Sequence, residues 1–294
     1  MTASTPYFRQ ELNSWITPRG DSRYMSWQSA WKLIKSDYFK LVPILVLAFY
    51  MAFIPHLNYP YAVHIDEWVH VAHSNALLQA GDINYPDPFP GQESGREISL
   101  LELGYHLILS VFHQLSGVSW MDIARYFPSV TFLFTVLSVF IFARRMGFGW
   151  EAAFFTTLIP STVGIMGPAF LVPVAMALMF VPLLLYLVFN HKTIWSYLIL
   201  GISMAFLVIL HATSAIIMII ILVPFILLGL KDDFKHILCV ILVLAVPFLV
   251  TLPWTSSLIL SQAGSLFTQK PLPTNHDLLQ MISGYGYLPV AICL

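Results

Sequence analysis

The chain has 294 residues, of which 58% are hydrophobic and only 10% are charged, and its mean hydropathy is +0.77. A water-soluble domain of this length could not bury that much apolar surface in one core. The composition therefore excludes an ordinary soluble protein and predicts an all-α polytopic membrane protein. The formal net charge of -1 gives no basic field that would attract nucleic acid, so we expect no nucleic-acid partner.

The first 40 residues are polar and rich in aromatic side chains, without the features of a signal peptide. They predict a cytoplasmic N-terminal arm, followed by a transmembrane domain over residues 41–294. A membrane helix needs about 20 mainly apolar residues. The runs predicted to span are 41–57, 127–143, 152–169, 170–189, 194–210, 214–230, 237–256 and 281–294. The last run stops at Leu294, where a helix would still be inside the bilayer, so we expect the chain to be truncated at its C-terminus.

A long first outer loop, residues 58–126, separates the first two predicted spans. Its apolar run 103–115 is short for a crossing and contains His106 and His113, which favours a helix lying at the membrane interface. With that helix outside the bilayer and the N-terminus in the cytoplasm, the chain obeys the positive-inside rule. The cations that then lie outside are Arg96, Arg125 and Lys270, three of the 14. This predicts a multi-pass protein of the cell membrane, or of the endoplasmic reticulum in a eukaryote.

The segment HIDEWVHVAHSNALLQAGDI, residues 64–83, predicts an amphipathic helix that ends at Gly81. Asp66 lies near its N-terminus, where the helix dipole favours a negative charge. At helical spacing Asp66, His70 and His73 share one face. A carboxylate with two imidazoles could bind a divalent metal or act as an acid and base pair. The alternative is that Asp66 caps the helix and the histidines are interfacial polar residues.

Two ionisable residues flank the interfacial helix at the level of the bilayer, where an unpaired charge costs about 2.5 to 3.5 kcal/mol. Arg125 could hold a lipid phosphate with two hydrogen bonds, and Glu102 could bind a metal or an amine. Alternatively Arg125 pairs with Asp122 or extends to the lipid headgroups. His211, in VILHATSA between two apolar runs, is either functional or a satisfied core histidine.

The order of these motifs resembles the glycosyltransferase C (GT-C) superfamily, in the branch of the protein O-mannosyltransferases and aminoarabinose transferases. HIDEWVHVAHSNALLQAGDI is similar to the family's first-loop pattern, in which Asp-Glu opens a helix that ends in Gly-Asp. GYHLILSVFHQLSGVSWMDIARYFPSV resembles its interfacial helix and the following segment with an arginine. FARRMGFGWEAAF resembles its basic inner turn, and VTLPW a motif that ends a later span.

The resemblance implies a GT-C-like helical bundle whose long first extracytoplasmic loop carries interfacial helices. It also implies inverting transfer of a sugar from a polyprenyl-phosphate donor to a protein, lipid or glycan acceptor at the extracytoplasmic face. A carboxylate would deprotonate the acceptor or hold an assisting divalent metal ion. By this resemblance Asp66 and Glu67 are the catalytic residues, and Arg125 and Glu102 bind the substrate. His211, which stands where the family has a lysine, is a further candidate for substrate binding. The candidate metal ligands are Asp66, His70, His73 and Glu102, of which His70 and His73 rest on helical spacing.

Two other classes of function remain open at this point. A non-catalytic membrane scaffold or a lipid-handling protein could keep the same helices. A transporter would place ionisable residues inside its spans and show an inverted repeat. The predicted spans contain almost no charge, which favours the transferase over the transporter.

Overall fold

The computed structural model describes residues 36–89, 102–159, 167–190, 192–231 and 233–268, with side chains as far as residue 251. These ranges contain helices and turns and no strand, so the all-α prediction is confirmed for them. The chain divides into two compact units, residues 1–40 and 41–294. Ten α-helices are described: α1 Asp37–Phe53, α2 Ile65–Ala80, α3 Leu103–Ser116, α4 Trp120–Arg144, α5 Gly149–Thr157, α6 Pro173–Leu178, α7 Phe180–Asn190, α8 Ile194–Leu210, α9 Ala212–Gly229 and α10 Phe234–Thr268.

Four of the described helical segments are long and apolar enough to cross a membrane. They are Asp37–His56, in which α1 continues through a short 3-10 turn, Trp120–Arg144, Ala212–Gly229 and Phe234–Thr251. Two shorter apolar segments, Pro173–Phe189 and Ile194–Leu210, accompany them. Helices apolar over their whole circumference cannot all be buried in so small a protein, so their exposed faces are suited to lipid.

Contacts distinguish two ends of this helical assembly. The loop end is the one at which residues of the connection between α1 and α4 lie, and the far end is opposite to it. At the loop end, Glu67 accepts a hydrogen bond from the Leu171 amide, and Glu102 lies beside His211. At the far end, His236 bonds the carbonyl of Val188. Consequently α8 runs from the far end to the loop end, and α9 returns in the opposite direction after the single residue His211.

The structure departs from two uninterrupted predicted spans, 152–169 and 170–189. Helix α5 ends at Thr157, residues 167–172 form turns and extended chain, and the next helix begins at Pro173. Proline is favoured in the first helical turn and holds the preceding residue in an extended conformation, and Val172 has φ −131° and ψ 149°. Residues 160–166 and the predicted span 281–294 lie outside the described residues.

The predicted second span, 127–143, lies inside a longer helix. Ser119 caps α4 by accepting the Asp122 amide, so the helix covers Trp120–Arg144 and the connection before it ends at residue 119 rather than 126. The run 103–115 forms α3, which is too short to cross a membrane. Gly117 ends it with φ +68°, a left-handed conformation that favours glycine.

The main apolar core surrounds α8. Leu200, Met204 and Leu207 of this helix are almost fully buried and pack in one cluster with Tyr105 and Leu109 of α3. A second cluster joins α1 to α4. The packing of α3 on α8 matters for the site, because it brings the start of the interfacial helix to the end of α8.

Candidate functional site

Glu102 is the centre of a group of polar side chains at the loop end. It stands immediately before α3 and is mostly buried. Its Oε2 atom lies 3.7 Å from Nδ1 of His70, and its Oε1 atom lies 3.8 Å from Nε2 of His211. The carboxylate therefore lies between two imidazoles, one from α2 and one from the connection between α8 and α9.

A glycine allows this meeting of distant segments. A Cβ atom added to Gly104 would lie 2.8 Å from the backbone oxygen of Ile209, closer than van der Waals contact permits. Glycine therefore lets the first turn of α3 approach the last turn of α8. Glu102 and His211 reach each other because these two turns touch.

His106 completes a compact set of possible ligands with His70 and Glu102. Nδ1 of His70 lies 3.2 Å from Nε2 of His106, and ligand atoms of the three residues all lie within 4.8 Å of one another. Two imidazoles and a carboxylate are a donor set that suits Zn²⁺ and related cations. These three residues therefore fit a divalent metal by their chemistry and their proximity.

Burial sets the protonation states of this group. Burial, reinforced by the neighbouring His73 and His211, lowers the pKa of His70 to about 3, and burial lowers the pKa of His211 to about 4. Burial, followed by the negative charge of Asp66, raises the pKa of Glu102 to about 7. At neutral pH the imidazoles are uncharged, so their contacts with Glu102 are not ion pairs and their lone pairs suit a cation.

Asp66 lies near these groups and outside the three-residue set. It occupies the first turn of α2 and is half-buried, with Oδ2 3.6 Å from Nδ1 of His64. Its amide donates to the same nitrogen, so His64 rather than Asp66 caps the helix. Among the described residues no backbone amide donates to the Asp66 carboxylate, and this carboxylate is close enough to Glu102 to raise its pKa.

Glu67, the expected partner of Asp66, is fully buried in a different environment. Its Oε2 atom accepts the amides of Val63 and His64 at 2.6 and 2.8 Å, and its Oε1 atom accepts the amide of Leu171 at 2.8 Å. Three backbone donors occupy this carboxylate. Glu67 therefore fixes the start of α2 against the segment 167–172, and it positions Asp66 rather than facing open space.

His73 shares the buried face of α2 with His70, and its contacts are with Tyr85 and His106. Its Nδ1 atom lies 3.1 Å from the hydroxyl of Tyr85, and its ring stacks on that of His106 with centroids 5.3 Å apart. Burial lowers the pKa of His73, and the charge of Asp87 opposes this shift. Among the four predicted metal ligands, the structure thus brings together His70 and Glu102.

His106 was missed as a ligand by sequence reasoning, which used it only to place α3 at the interface. A signal was available, because His106 follows Glu102 by four residues and so lies one helical turn away. Tyr85, the partner of His73, follows a turn with no regular periodicity. Nothing in the local sequence indicated that contact.

Arg125 lies apart from the contacts of Glu102. Its guanidinium carbon is 5.4 Å from the ring centroid of Phe53 and 5.3 Å from that of Tyr126. No ion pair joins it to Asp122 within the described ranges, because Asp122 instead accepts the hydroxyl of Ser119. The Nε atom of Arg125 is buried and has no hydrogen-bond partner among the residues described.

Comparisons of the chain with protein-family models, with curated proteins and with solved structures give no match.

Proposed function

We propose that the chain is a membrane glycosyltransferase of the GT-C type, which moves a sugar from a polyprenyl-phosphate donor to an acceptor at the extracytoplasmic face. The observation that carries the proposal is the position of Glu102 between His70 and His211, with Asp66 close enough to raise its pKa. Perturbed carboxyl and imidazole groups gathered from distant segments are typical of catalytic sites.

The site lies where a lipid-linked substrate could reach it. Helices α2 and α3 belong to the connection between the first two candidate spans. Helix α3 has an apolar surface and is short enough to lie at the membrane interface. The described cations of the second unit other than Arg125 support the same orientation, because they lie at or next to helix ends at the far end: Arg144, Arg145, Lys192, Lys231 and Lys235. The loop end would then face the outside.

The proposed reaction requires a base and a stabilised leaving group. Asp66 would take the proton from an acceptor hydroxyl, while the oxygen of that hydroxyl forms a bond to the anomeric carbon of the sugar. The bond between that carbon and the phosphate oxygen would break, and the polyprenyl phosphate would leave with the electron pair. Asp66 is half-buried and no described backbone amide donates to it, so it suits the role of base better than Glu67 does.

A divalent cation is part of the proposal. The imidazoles of His70 and His106 and the carboxylate of Glu102 would hold it, with His211 next to the second carboxylate oxygen. Such an ion would supply positive charge that favours the ionised form of Glu102 and attracts a phosphate group. Asp66 would remain available as the base.

The test is transfer from a radiolabelled polyprenyl-phosphate sugar in membranes that contain the protein. We expect Asp66→Asn and Glu102→Gln to abolish transfer, while Asp82→Asn, an exposed carboxylate of the same connection, leaves it unchanged. Wild-type rates in Asp66→Asn would refute its role as the base. Absence of product from a panel of donors, with correctly folded protein, would favour a scaffold or a lipid-handling protein.

A further inference from the structure

His211 joins α8 to α9 and takes part in the ends of both helices. Its backbone amide donates to the carbonyl of Leu207 at 2.9 Å, where α8 ends. Its ring nitrogen Nδ1 accepts the amide of Ser214 at 3.2 Å and lies 2.7 Å from the hydroxyl of the same serine, so the ring caps the start of α9. The side chain of His211 is therefore held in place by the helix that follows it.

This cap fixes which nitrogen of the His211 ring carries the proton. A backbone amide can only donate, so Nδ1 must offer its lone pair and cannot be protonated. A neutral imidazole carries one proton, which is then on Nε2. Nε2 is also the ring nitrogen that lies 3.8 Å from Oε1 of Glu102. The start of α9 therefore makes the nitrogen beside Glu102 a hydrogen-bond donor.

The two oxygens of Glu102 have different neighbours. Oε2 lies 3.7 Å from Nδ1 of His70, and that nitrogen lies 3.2 Å from Nε2 of His106. Oε2 is thus on the side of the candidate metal ligands, and Oε1 is left for the donor on His211. Their 3.8 Å separation is longer than an N–H···O hydrogen bond of about 2.9 Å, so a shift of roughly 1 Å in either side chain would close it.

The chain contains a simpler cap of the same geometry. At the start of α8, the Thr193 hydroxyl oxygen accepts the Ser196 amide at 3.2 Å and lies 2.7 Å from the Ser196 hydroxyl. Serine, threonine, aspartate and asparagine are the usual capping residues, and histidine is not among them. Because a threonine satisfies the same contacts, capping alone does not account for an imidazole at position 211. What the histidine adds is the second nitrogen, Nε2.

We propose that His211 is a positioning residue, which donates a hydrogen bond from Nε2 to Oε1 of Glu102 while Oε2 binds the divalent cation. The proposal rests on the proposed function for the cation site, and it gives His211 a role towards Glu102 in place of direct contact with the substrate. Carboxylates that bind metals are commonly held by outer hydrogen bonds, and losing such a partner weakens metal binding by about 10- to 100-fold. The start of α9 would thus orient a metal ligand that belongs to another segment.

Two substitutions separate the cap from the donor. In His211→Asn the terminal atoms occupy the places of Nδ1 and Cδ2, so the cap is kept and the donor is lost. In His211→Gln the longer amide reaches the place of Nε2, so the donor is kept and the cap is lost. The purified full chain in detergent is titrated with Co²⁺ and followed by its visible spectrum, and thermal unfolding is measured without metal. We expect His211→Asn to bind Co²⁺ about tenfold more weakly or worse with the unfolding midpoint of the wild type. His211→Gln should have a lower midpoint and bind Co²⁺ more tightly than His211→Asn does.

The matched control is Thr193→Ala, which removes the cap of the same geometry at the far end. It should lower the unfolding midpoint and bind Co²⁺ as the wild type does. A second measurement reads the proton on the ring directly, by nuclear magnetic resonance of the metal-free chain labelled with ¹⁵N-histidine. We expect the wild type to show a neutral imidazole protonated on Nε2 whose signal is missing from both variants at position 211.

Several outcomes would overturn the role of His211: no binding of Co²⁺ by the wild type, equal affinity in the wild type and His211→Asn, equal weakening in Thr193→Ala, or a signal from position 211 that is protonated on Nδ1. If His211→Asn does not fold, the resonance spectrum and His211→Gln decide. Binding of Co²⁺ that depends on His211 without any sugar transfer would leave this role standing and remove the proposed function. Sugar transfer by the wild type, with equal Co²⁺ affinity in His211→Asn, would do the reverse.

Discussion

The carboxylate of Glu102 lies 3.8 Å from Nε2 of His211, and no residue at position 104 other than glycine leaves room for this contact. The helix that Glu102 precedes touches the backbone of α8 at Ile209. The distance between the two side chains is therefore set by backbone packing.

Substituting Gly104 should separate Glu102 from His211. In Gly104→Ala the new methyl group would lie 2.8 Å from the Ile209 oxygen, so α3 must move away, at a cost of about 1 to 3 kcal/mol. We expect a lower midpoint of thermal unfolding and loss of transfer. Gly201→Ala is the control, because its methyl group would meet only the end of the Val243 side chain at 3.2 Å. Equal midpoints in the two variants would contradict the close approach.

The raised pKa of Glu102 makes stability depend on pH. Between pH 4.5 and about 7 the folded protein holds a proton on Glu102 that the unfolded chain releases, so this group's contribution to the free energy of unfolding falls as pH rises through that window. The full effect is about 3 kcal/mol. His70 and His211, with lowered pKa values, act in the opposite direction below pH 6.5.

The comparison of the wild type with Glu102→Gln isolates this contribution. Glutamine keeps the shape of the side chain and does not titrate, while the histidine effects remain in both proteins. We expect the variant to gain stability relative to the wild type as pH is raised from 5 to 8, measured by thermal unfolding in detergent without metal. A constant difference over that range would show that the pKa of Glu102 is not raised.

A divalent cation should bind to His70, Glu102 and His106. We expect His106→Gln to weaken binding of Zn²⁺ or Co²⁺ by about tenfold or more, measured by calorimetry or by the visible spectrum of Co²⁺. His113→Gln is the matched control on the same helix, because His113 is held by the Val118 carbonyl and by stacking on Trp120. Equal binding by the two variants would remove His106 from the ligand set.

Glu67 and Asp66 should respond differently to the loss of charge. In Glu67→Gln the side-chain amide cannot accept the hydrogen bonds now made to Oε1 and Oε2 together, so a backbone donor loses its partner at a cost of about 1 to 3 kcal/mol. We expect a lower unfolding midpoint together with lower activity. Asp66→Asn should lose activity with its midpoint unchanged. If the unfolding midpoint fell in Asp66→Asn and not in Glu67→Gln, Asp66 would be the structural carboxylate and Glu67 the catalytic one.

The membrane orientation can be read by labelling. In a background without Cys239 and Cys293, a cysteine at Asp87 should react with an impermeant maleimide applied outside intact cells. A cysteine at Lys231, which is exposed beyond the end of α9, should react only after the membrane is opened. The reverse pattern would invert the proposed topology.

Local sequence was sufficient for several elements near the site. The helix predicted in residues 64–83 begins at Ile65 and ends at Ala80, and Gly81 follows it with φ +64°. This end could be predicted because caps and a left-handed glycine act within a few residues. The run 103–115 forms α3 as expected. The predicted span 152–169 was less accurate, because an apolar composition alone does not show where the chain turns before Pro173.

The site itself was only partly predictable. Helical spacing placed Asp66, His70 and His73 on one face, but neighbouring groups decided what each side chain does. His73 forms a hydrogen bond with Tyr85, and Glu67 accepts hydrogen bonds from three backbone amides. The imidazole that lies beside His70 is that of His106 rather than that of His73. Each of these outcomes depends on a partner from another segment.

By itself, the sequence determined the helical class, the apolar segments suited to a membrane and the loop that carries the acids and imidazoles, because hydropathy and helix signals are local properties. The tertiary structure decided which of those groups meet. Glu102 reaches His211 only because α3 packs on α8 through Gly104. Contacts between distant segments follow from the packing of whole helices, which no local pattern encodes.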